Sequence, residues 1–329
     1  MKLVKIRTKL HSNNTINRST EMRKLVQTIF ILTMMSLPFA ALADYPEKPI
    51  TLIVPYQAGG SMETMARVFA EELGNELNIN VLVRTQPGAG GKIGTTAASR
   101  AIADGYTLLF APESTVLWPP IAENVNYSLS SFDPIIRVTD LPQAIVTSKS
   151  SGIETFEDLL ALSAAQSMSY ADQNSISRAF VDYIAMREQV VWVAVPTKGG
   201  GEMVPFLLGN KVNFAWSGGA HNRYLDQMNV VLSMTAAPQE TMPEVPTMQE
   251  RYGVSMPGGA TIWAPAGLSE ELRAKLTEAA ITAAHSEAFN DLMMNTLGFP
   301  LADLTGSQLT AELMTINEDL AAIYEETAP

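Results

Sequence analysis

The sequence Val-Pro-Tyr-Gln-Ala-Gly-Gly-Ser-Met occupies residues 54–62, and the related sequence Val-Pro-Thr-Lys-Gly-Gly-Gly-Glu-Met occupies residues 195–203. Each copy follows a β-branched run and precedes a segment with helical periodicity. A glycine-rich turn between a strand and a helix leaves N–H groups of the first helical turn unpaired, which suits an anion. The repeat therefore predicts two similar lobes that face one ligand. Chance is the alternative, because both dipeptides are common in loops.

Apolar β-branched runs alternate with helical periodicity along the chain, which is typical of α/β architecture with mostly parallel strands. Strands are predicted at Ile50–Val54, Val81–Arg84, Thr107–Phe110, Ala144–Thr147, Met168–Ala171, Val190–Val195, Val212–Ala215, Val230–Met234 and Ala260–Ala264. Helices are predicted from Met62 to Leu73, at Phe156–Ala165 behind a Thr155 capping box, at Glu270–His285 behind Ser269, and from Ser307 onward. Since no linker is apparent, two chain crossings are expected to join the lobes, near Leu141–Thr147 and Met256–Ile262.

The N-terminal segment has the composition of a signal peptide. A basic start at residues 22–24 leads into an apolar run, and the run ends in the small-x-small pattern at residues 41–43 that signal peptidase reads. Residues 1–43 are therefore predicted to be a signal peptide with a long n-region, cleaved after Ala43 on export to the periplasm. The apolar run is short and interrupted for a membrane span, so no stable membrane insertion is expected.

The composition of the chain excludes several classes of function. It has no cysteine and a formal net charge of −12. The lack of cysteine excludes thiolate metal sites, disulfide scaffolds and cysteine catalysis. Removal of the basic leader leaves the chain still more acidic, so neither nucleic acid nor an anionic membrane surface is an expected partner. No metal-ligand spacing occurs, and neither a metal nor a cofactor is expected.

A further glycine-rich loop, Pro-Gly-Ala-Gly-Gly-Lys-Ile-Gly, occupies residues 87–94 after the predicted strand Val81–Arg84. It fails the dinucleotide fingerprint because Ile93 replaces a glycine, and it lacks the Ser or Thr that follows Gly-Lys in a phosphate loop. What remains is a backbone that can approach a ligand oxygen at a helix N-terminus. A tight turn without a ligand is the alternative.

Residues for nucleophilic catalysis are weakly indicated. Ser217 and His221 are close enough in sequence to approach each other, but the glycine two positions before the serine of a nucleophile elbow is missing. A periplasmic α/β hydrolase using Ser217 and His221 is therefore kept only as an alternative.

Several motifs occur in a fixed order along the chain. They are Tyr-Pro-x-Lys-Pro-Ile at 45–50, Val-Pro-Tyr-x-Ala-Gly-Gly at 54–60, Pro-Gly-Ala-Gly-Gly-x-Ile-Gly at 87–94, Ala-Asp-Gly-Tyr-Thr-Leu-Leu at 103–109, Pro-Glu-Val-Pro-Thr-Met-x-Glu at 243–250 and Trp-Ala-Pro-Ala-Gly at 263–267. Together they resemble the periplasmic solute-binding receptors of tripartite tricarboxylate transporters, the Bug family. The resemblance covers essentially all of the chain beyond residue 43.

This resemblance implies a two-lobed periplasmic-binding-protein (Venus flytrap) architecture, in which two similar α/β lobes enclose a ligand cleft. Lobe 1 is expected to comprise residues 44–142 and 257–329, and lobe 2 residues 143–256. The implied function is capture of a small carboxylate by hinge closure and its delivery to the membrane subunits of a tripartite transporter, without catalysis. A monomer is expected. A sensor receptor for an organic acid is a second alternative.

In the family, two glycine-rich loops of lobe 1 grip a carboxylate through backbone N–H groups, and side chains of lobe 2 select the rest of the ligand. Ser114 is added because it follows a strand end of the kind where open α/β sheets bind ligands. The predicted ligand-binding residues are Tyr56, Ala58, Gly59, Gly60, Ser61, Met62, Glu63, Gly88, Ala89, Gly90, Ser114, Asn174, Ser175, Ser177, Lys198, Gly199, Trp216, Ser217 and Gly218.

Three departures from the family pattern predict an altered distal half of the pocket. Glu63 and Asn213 each stand where the family usually has Asp, and residues 171–178 are polar where a glycine-rich loop is common. Lys198 is the best candidate for a cation in the cleft, with a solvated loop lysine as its alternative. The ring of Trp216 is predicted either to stack on an unsaturated ligand or to fill the edge of the lobe.

Overall fold

The computed structural model describes residues 45–239 and 241–327. The predicted signal peptide at residues 1–43, with its cleavage position after Ala43, lies outside the described residues. The chain divides into a unit that ends at Glu47 and a unit that begins at Lys48, and the fold described below belongs to the second unit.

The strands of this unit form two separate sheets. They are β1 (Ile50–Val54), β2 (Val81–Thr85), β3 (Thr107–Pro112), β4 (Phe132–Asp140), β5 (Ala144–Ser148), β6 (Met168–Asp172), β7 (Trp192–Pro196), β8 (Phe214–Ser217), β9 (Met228–Ser233), β10 (Gly259–Pro265) and β11 (Leu301–Thr305). Sheet 1 has the order β11-β4-β10-β3-β1-β2, and sheet 2 has the order β7-β6-β8-β5-β9. The two similar lobes predicted from the sequence repeat are therefore confirmed as two α/β layers.

Helices connect the strands within each sheet. They are α1 (Ser61–Leu77), α2 (Lys92–Ser99), α3 (Glu113–Ala122), α4 (Phe156–Ala165), α5 (Ser175–Arg187), α6 (Gly200–Leu208), α7 (Met248–Tyr252), α8 (Glu270–Ala284), α9 (Glu287–Asp291) and α10 (Gly306–Thr327), with short 3-10 turns at Ala89–Gly91, Leu129–Ser131, Lys149–Ser151 and Ala220–Tyr224 and a π-turn at Leu292–Leu297. The predicted caps are present: Thr155 and Asp158 form a capping box, and Ser269 accepts from the Leu272 N–H.

The expectation of mostly parallel strands is wrong. β1 pairs in parallel with β2 and β3, and β6 with β7 and β8. However, β10 is antiparallel to both β3 and β4, β11 is antiparallel to β4, and β5 is antiparallel to both β8 and β9. The reason is topological. A chain that leaves sheet 1 at the end of β4 and later returns at the same edge must run back against its neighbours.

The two crossings place the carboxyl edges of the two sheets next to each other. The chain passes from sheet 1 to sheet 2 through residues 141–143 and returns through residues 253–258. In sheet 1, Gly259 at the start of β10 pairs with Asp140 at the end of β4. In sheet 2, Ala144 at the start of β5 pairs with Ser217 at the end of β8. Both crossings therefore meet the edge where the parallel strands end, and loops from the two edges face one cleft.

The crossing segments are bonded to each other. The Leu141 N–H donates to the Gly258 carbonyl at 2.8 Å, and the Gln143 side-chain amide donates to the Pro257 carbonyl at 2.8 Å. A Cβ on Gly258 would lie 3.2 Å from the Leu141 carbonyl oxygen, so the two segments approach closely at this glycine. This arrangement keeps the two segments side by side.

The C-terminal helix α10 lies against helices of both sheets. Leu309, Leu313, Leu320 and Ile323 along one of its faces are buried. Tyr324 meets the ring of Trp118 on α3 edge to face, with 5.9 Å between centroids. Glu326 pairs with Arg187 on α5 at 2.8 Å. Since each buried aliphatic side chain stabilises by about 1.5–3 kcal/mol, these four side chains hold α10 firmly in the fold, where it contacts both α3 and α5.

Candidate functional site

The first glycine-rich turn connects β1 to α1 at the carboxyl edge of sheet 1. Gly60 is the N-cap of α1 and provides no side-chain cap, so N–H groups of the first turn remain available. The Glu63 carboxylate reaches back and accepts the Gly59 N–H at 3.2 Å, and it also pairs with Arg67. The turn therefore presents the amides at Ser61 and beyond, whereas the amide of Gly59 is already bonded.

The repeated turn connects β7 to α6 at the carboxyl edge of sheet 2 and is built in the same way. Gly199, with φ of 128°, is the N-cap of α6 and again provides no side-chain cap. The Glu202 carboxylate accepts the Lys198 N–H at 2.7 Å. The repeat in the sequence thus corresponds to a repeat in structure, with α6 starting two residues earlier in the motif than α1 does.

The second glycine-rich loop of sheet 1 has an unusual backbone. Gly88, Ala89, Gly90 and Gly91 have φ values of 130°, 49°, 67° and 95° in succession. A left-handed conformation costs a residue with a Cβ roughly 1–2 kcal/mol, so Ala89 is held there at a cost. Ala89 and Gly90 are exposed, and among the described residues nothing accepts from their N–H groups. Successive amides in such a turn form a concave anion site.

Close packing joins this loop to the first turn. A Cβ on Gly94 would lie 2.9 Å from the Pro55 Cα, and a Cβ on Gly91 would lie 2.8 Å from the Thr115 Cγ2. The Tyr56 hydroxyl is hydrogen-bonded to the Thr115 Oγ1 at 2.5 Å. Burial raises the pKa of Tyr56, so its hydroxyl remains neutral. The loops that follow β1, β2 and β3 therefore form one continuous surface.

Ser114 lies in this surface, beside a buried ion pair. Glu113 is fully buried and accepts from Arg137 Nε at 2.8 Å and from the Thr261 hydroxyl at 2.9 Å. Burial raises the pKa of Glu113, while the Arg137 guanidinium opposes that shift. A Cβ on Gly259 would lie 2.3 Å from Glu113 Oε1, so only glycine fits there. The pair fixes the first residue of α3 and hence the position of Ser114.

The predicted residues of sheet 2 divide between its carboxyl edge and its interior. Asn174, Ser175 and Lys198 are exposed at this edge. Asn174 also caps α5 by accepting the Ser177 N–H at 2.9 Å, and the buried Ser177 hydroxyl donates to Asp172 at 2.9 Å. Ser177 is therefore a helix-capping residue, and its hydroxyl is taken up inside the lobe.

The Trp216-Ser217-Gly218 segment ends β8. The Trp216 side chain is only 6% exposed and joins the apolar core, so it fills the lobe edge and has little surface for stacking on a ligand. A Cβ on Gly218 would approach that ring to 3.1 Å. Gly218 itself is partly exposed. Within this segment, the accessible groups are those of the Gly218 backbone.

Ser217 and His221 do approach each other, but within the protein. His221 Nδ1 lies 2.9 Å from Ser217 Oγ, and both residues are fully buried. Burial lowers the pKa of His221 to about 4, so the imidazole is neutral. A substrate cannot reach a hydroxyl with no exposed surface. The pair is a structural contact, and the hydrolase alternative has no nucleophile at the surface.

Asn213 lies away from the cleft. Its side-chain oxygen accepts the Ser169 N–H at 2.8 Å, near the start of β6, and so at the opposite end of that strand from the carboxyl edge. The replacement of the usual Asp therefore changes a contact within sheet 2. Of the three departures, Glu63 and the loop before α5 are the ones that lie at the carboxyl edges.

Residues 45–239 and 241–327 contain no group of three or more His, Cys, Asp or Glu residues that could hold a metal ion. Nor does any helix in this part of the chain combine the length and apolar character needed to span a bilayer.

Residues 65–315 match the sequence model of the tripartite tricarboxylate transporter family receptor. The chain belongs to this receptor family. Among its relatives, the protein BugT of Bordetella pertussis is 34% identical over 192 residues, 56% of this chain and 59% of BugT. Proteins of the family are periplasmic binding proteins of the substrate-binding receptor type.

Solved structures share the fold of this receptor. An R. palustris protein with adipate has a TM-score of 0.74 at 19% identity, covering 86% of this chain and 98% of its own. MatC from Rhodopseudomonas palustris with bound malate has a TM-score of 0.68 at 20% identity, covering 85% of this chain and 99% of its own. The two-lobed periplasmic-binding-protein fold expected from the sequence is confirmed.

Proposed function

We propose that this receptor captures a small carboxylate in the cleft between its two sheets and delivers it to the membrane subunits of a tripartite transporter. Lobe 1 comprises residues 44–142 and 257–329, and lobe 2 comprises residues 143–256. The protein is exported after cleavage behind Ala43 and acts as a monomer. It performs no catalysis, and the ligand leaves unchanged.

One observation carries the proposal. Two adjoining loops at the carboxyl edge of sheet 1 have backbone N–H groups without a partner among the described residues, at Ser61 in the first turn of α1 and at Ala89 and Gly90 in the second loop. Main-chain amides and a helix N-terminus favour an anion without a basic side chain. This matters because the acidic chain offers an anion no general attraction.

The energetics are sufficient for capture. A hydrogen bond to a charged group contributes roughly 1.5–3 kcal/mol. A few such bonds, reduced by the costs of closure and of ordering the ligand, give about −8 kcal/mol, which corresponds to micromolar affinity. The structures of relatives solved with adipate and with malate support a carboxylic acid as the ligand class.

Lobe 2 selects the remainder of the ligand. Asn174, Ser175, Lys198, Gly199 and Gly218 lie at or near the carboxyl edge of sheet 2. The Lys198 side chain is exposed and has no ion-pair partner among the described residues, so its ammonium is available for a second acidic group. Arg178, in contrast, is held by Asp172 at 2.5 Å.

Thermal unfolding with a panel of acids tests the proposal. Malate, adipate, and monocarboxylic and aromatic acids are added to the protein lacking residues 1–43, with the corresponding amides as controls. A ligand at a hundred times its Kd stabilises by about 2.7 kcal/mol, so at least one acid is expected to raise the Tm by several degrees. A panel in which no acid raises the Tm would overturn the proposal.

The sensor alternative shares this site and differs only in its partner. Co-purification with membrane proteins distinguishes the two functions: transport requires that the ligand-loaded receptor binds membrane transporter subunits, whereas sensing requires that it binds a membrane kinase.

A further inference from the structure

A chain of side-chain hydrogen bonds crosses directly from sheet 1 to sheet 2. The indole N–H of Trp118, on α3, donates to Ser175 Oγ at 3.1 Å. Ser175 is the first residue of α5, and its hydroxyl donates in turn to Glu123 Oε1 at 3.2 Å. Glu123 is the C-cap of α3. The Ser175 hydroxyl is therefore bonded on both sides by residues of the other lobe.

The same chain extends to the second glycine-rich loop. The Glu123 Oε2 accepts from the Lys92 ammonium, and Lys92 is the first residue of α2, directly after Gly91. The Lys92 and Glu123 side chains are 30% and 31% exposed, so the pair is partly shielded from water. A connection thus runs from the loop that presents Ala89 and Gly90 to the N-terminus of α5.

The position of this connection distinguishes it from the contacts beside the crossing segments and from the Glu326–Arg187 pair, which joins α10 to the far end of α5. Lys92 follows β2 and Ser175 follows β6, so both lie at the carboxyl edges that border the cleft. By comparison, Asn222 donates to the Gly298 carbonyl at 2.7 Å, and Gly219 packs against Phe299 and Pro142 beside the crossing segment. Contacts beside a crossing can persist when lobes separate, whereas contacts across the cleft border have to break.

We propose that Lys92, Trp118, Glu123 and Ser175 form a latch that holds the two lobes closed and couples closure to the second glycine-rich loop. Ser175 is then a positioning residue, whose hydroxyl is used between the lobes. Its role in ligand capture rests on the proposed function, whereas its effect on the relative position of the lobes does not. Separation of the lobes breaks two hydrogen bonds at Ser175 and leaves Glu123 bonded only to Lys92 of its own lobe.

Distances between spin labels on the two lobes test the latch. Because the chain has no native cysteine, Glu71→Cys on α1 and Ala164→Cys on α4 give two unique labels, both at exposed positions. Distance distributions are measured without added acid for four proteins: the labelled parent, Ser175→Ala, Trp118→Phe and Ser130→Ala. The last is the matched control, since Ser130 is an exposed serine whose hydroxyl is bonded to Ser128 in its own lobe.

The parent is expected to show a short-distance component that represents the closed arrangement. Loss of one hydrogen bond changes an equilibrium by roughly fivefold, or about 1 kcal/mol, so Ser175→Ala and Trp118→Phe are expected to lower the closed-to-open ratio by at least that factor. Ser130→Ala is expected to match the parent. Asn174 still caps α5 in Ser175→Ala, so the helix is expected to remain folded, which circular dichroism checks.

Two results would overturn the latch: a parent distribution without the short component, or distributions of Ser175→Ala and Trp118→Phe that superimpose on that of Ser130→Ala. Since no acid is added, these outcomes are independent of the melting-temperature panel. A receptor that binds an acid but shows no change on Ser175→Ala retains the proposed function and loses the latch.

Discussion

Glu63 and Glu202 occupy the third position of α1 and α6, and each accepts the backbone N–H of the residue four places earlier, at 3.2 Å and 2.7 Å. Each carboxylate thereby acts as an internal anion that shapes a glycine-rich turn. This geometry gives Glu63 a structural role beside the proposed anion site, because its two oxygens are bonded to Gly59 and Arg67.

Glu63→Gln is accordingly expected to raise the affinity for a carboxylate by about twofold to fivefold. Glutamine keeps the reach to the Gly59 N–H but removes a negative charge near the proposed anion site, and repulsion between partly solvated charges is worth up to about 1 kcal/mol. Glu202→Gln is the matched change in the other turn. Isothermal titration with an acid that raises the Tm measures both. A lower affinity for Glu63→Gln would instead identify Glu63 as a direct contact to a ligand donor.

Gly94→Ala is expected to lower the free energy of unfolding by about 1–3 kcal/mol and to weaken ligand binding. The new methyl group would lie 2.8 Å from the Gln86 carbonyl oxygen and 2.9 Å from the Pro55 Cα, which are both backbone atoms. Gly201→Ala is the control in the first turn of α6, because a Cβ there meets no atom within 4 Å. That variant is expected to be neutral or slightly more stable, as alanine favours a helix. Urea denaturation compares the two, and equal effects would contradict the close packing of the loops.

Arg137→Met is expected to destabilise the protein by about 3–5 kcal/mol, because it leaves the Glu113 carboxylate buried without its partner. Arg67→Met removes the partner of Glu63. Because the Arg67 side chain is 61% exposed, this variant is expected to change the free energy of unfolding by less than about 1 kcal/mol. Chemical denaturation measures both variants. A small loss for Arg137→Met would show that Glu113 is solvated or becomes protonated at little cost.

Unfolding free energy is expected to fall as the pH decreases from 6.5 to about 4, through His221. Its folded-state pKa is lowered to about 4 by burial, so the unfolded chain binds a proton in this range that the folded chain does not. The loss attributable to His221 approaches about 3 kcal/mol at the lower limit. His221→Gln is expected to flatten this part of the profile. Denaturation curves at several pH values test this, and profiles of identical slope would contradict it.

The glycine motifs predicted the loops at the carboxyl edges, because the backbone conformation of these loops requires glycine at particular positions. Gly91 and Gly94 pack against Thr115 and Pro55, and the left-handed values at Gly88 and Gly90 are natural only to glycine. The nine predicted strands each coincide with an observed strand to within two residues. Runs of apolar and β-branched residues in the sequence therefore located these nine strands.

Strands β4 and β11 were not predicted because charged residues interrupt their apolar runs. β4 contains Asp133, Pro134 and Arg137, and the buried charge on Arg137 is tolerated because Glu113 on α3 and Glu312 on α10 pair with it. Such pairing between distant residues has no local signal in a sequence. The contact of Ser175 with Trp118 was missed for the same reason: spacing along the chain shows which residues share an edge, but not which ones bond across a cleft.

The discontinuity of sheet 1 has a consequence for biogenesis. Sheet 2 is built from one uninterrupted stretch between β5 and β9, whereas β10, β11 and α10 complete sheet 1 from the far end of the polypeptide. During synthesis from the N-terminus, β1 to β4 emerge well before their remaining partners. Assembly of sheet 1 must therefore await release of the last helix, while sheet 2 can form earlier from local contacts.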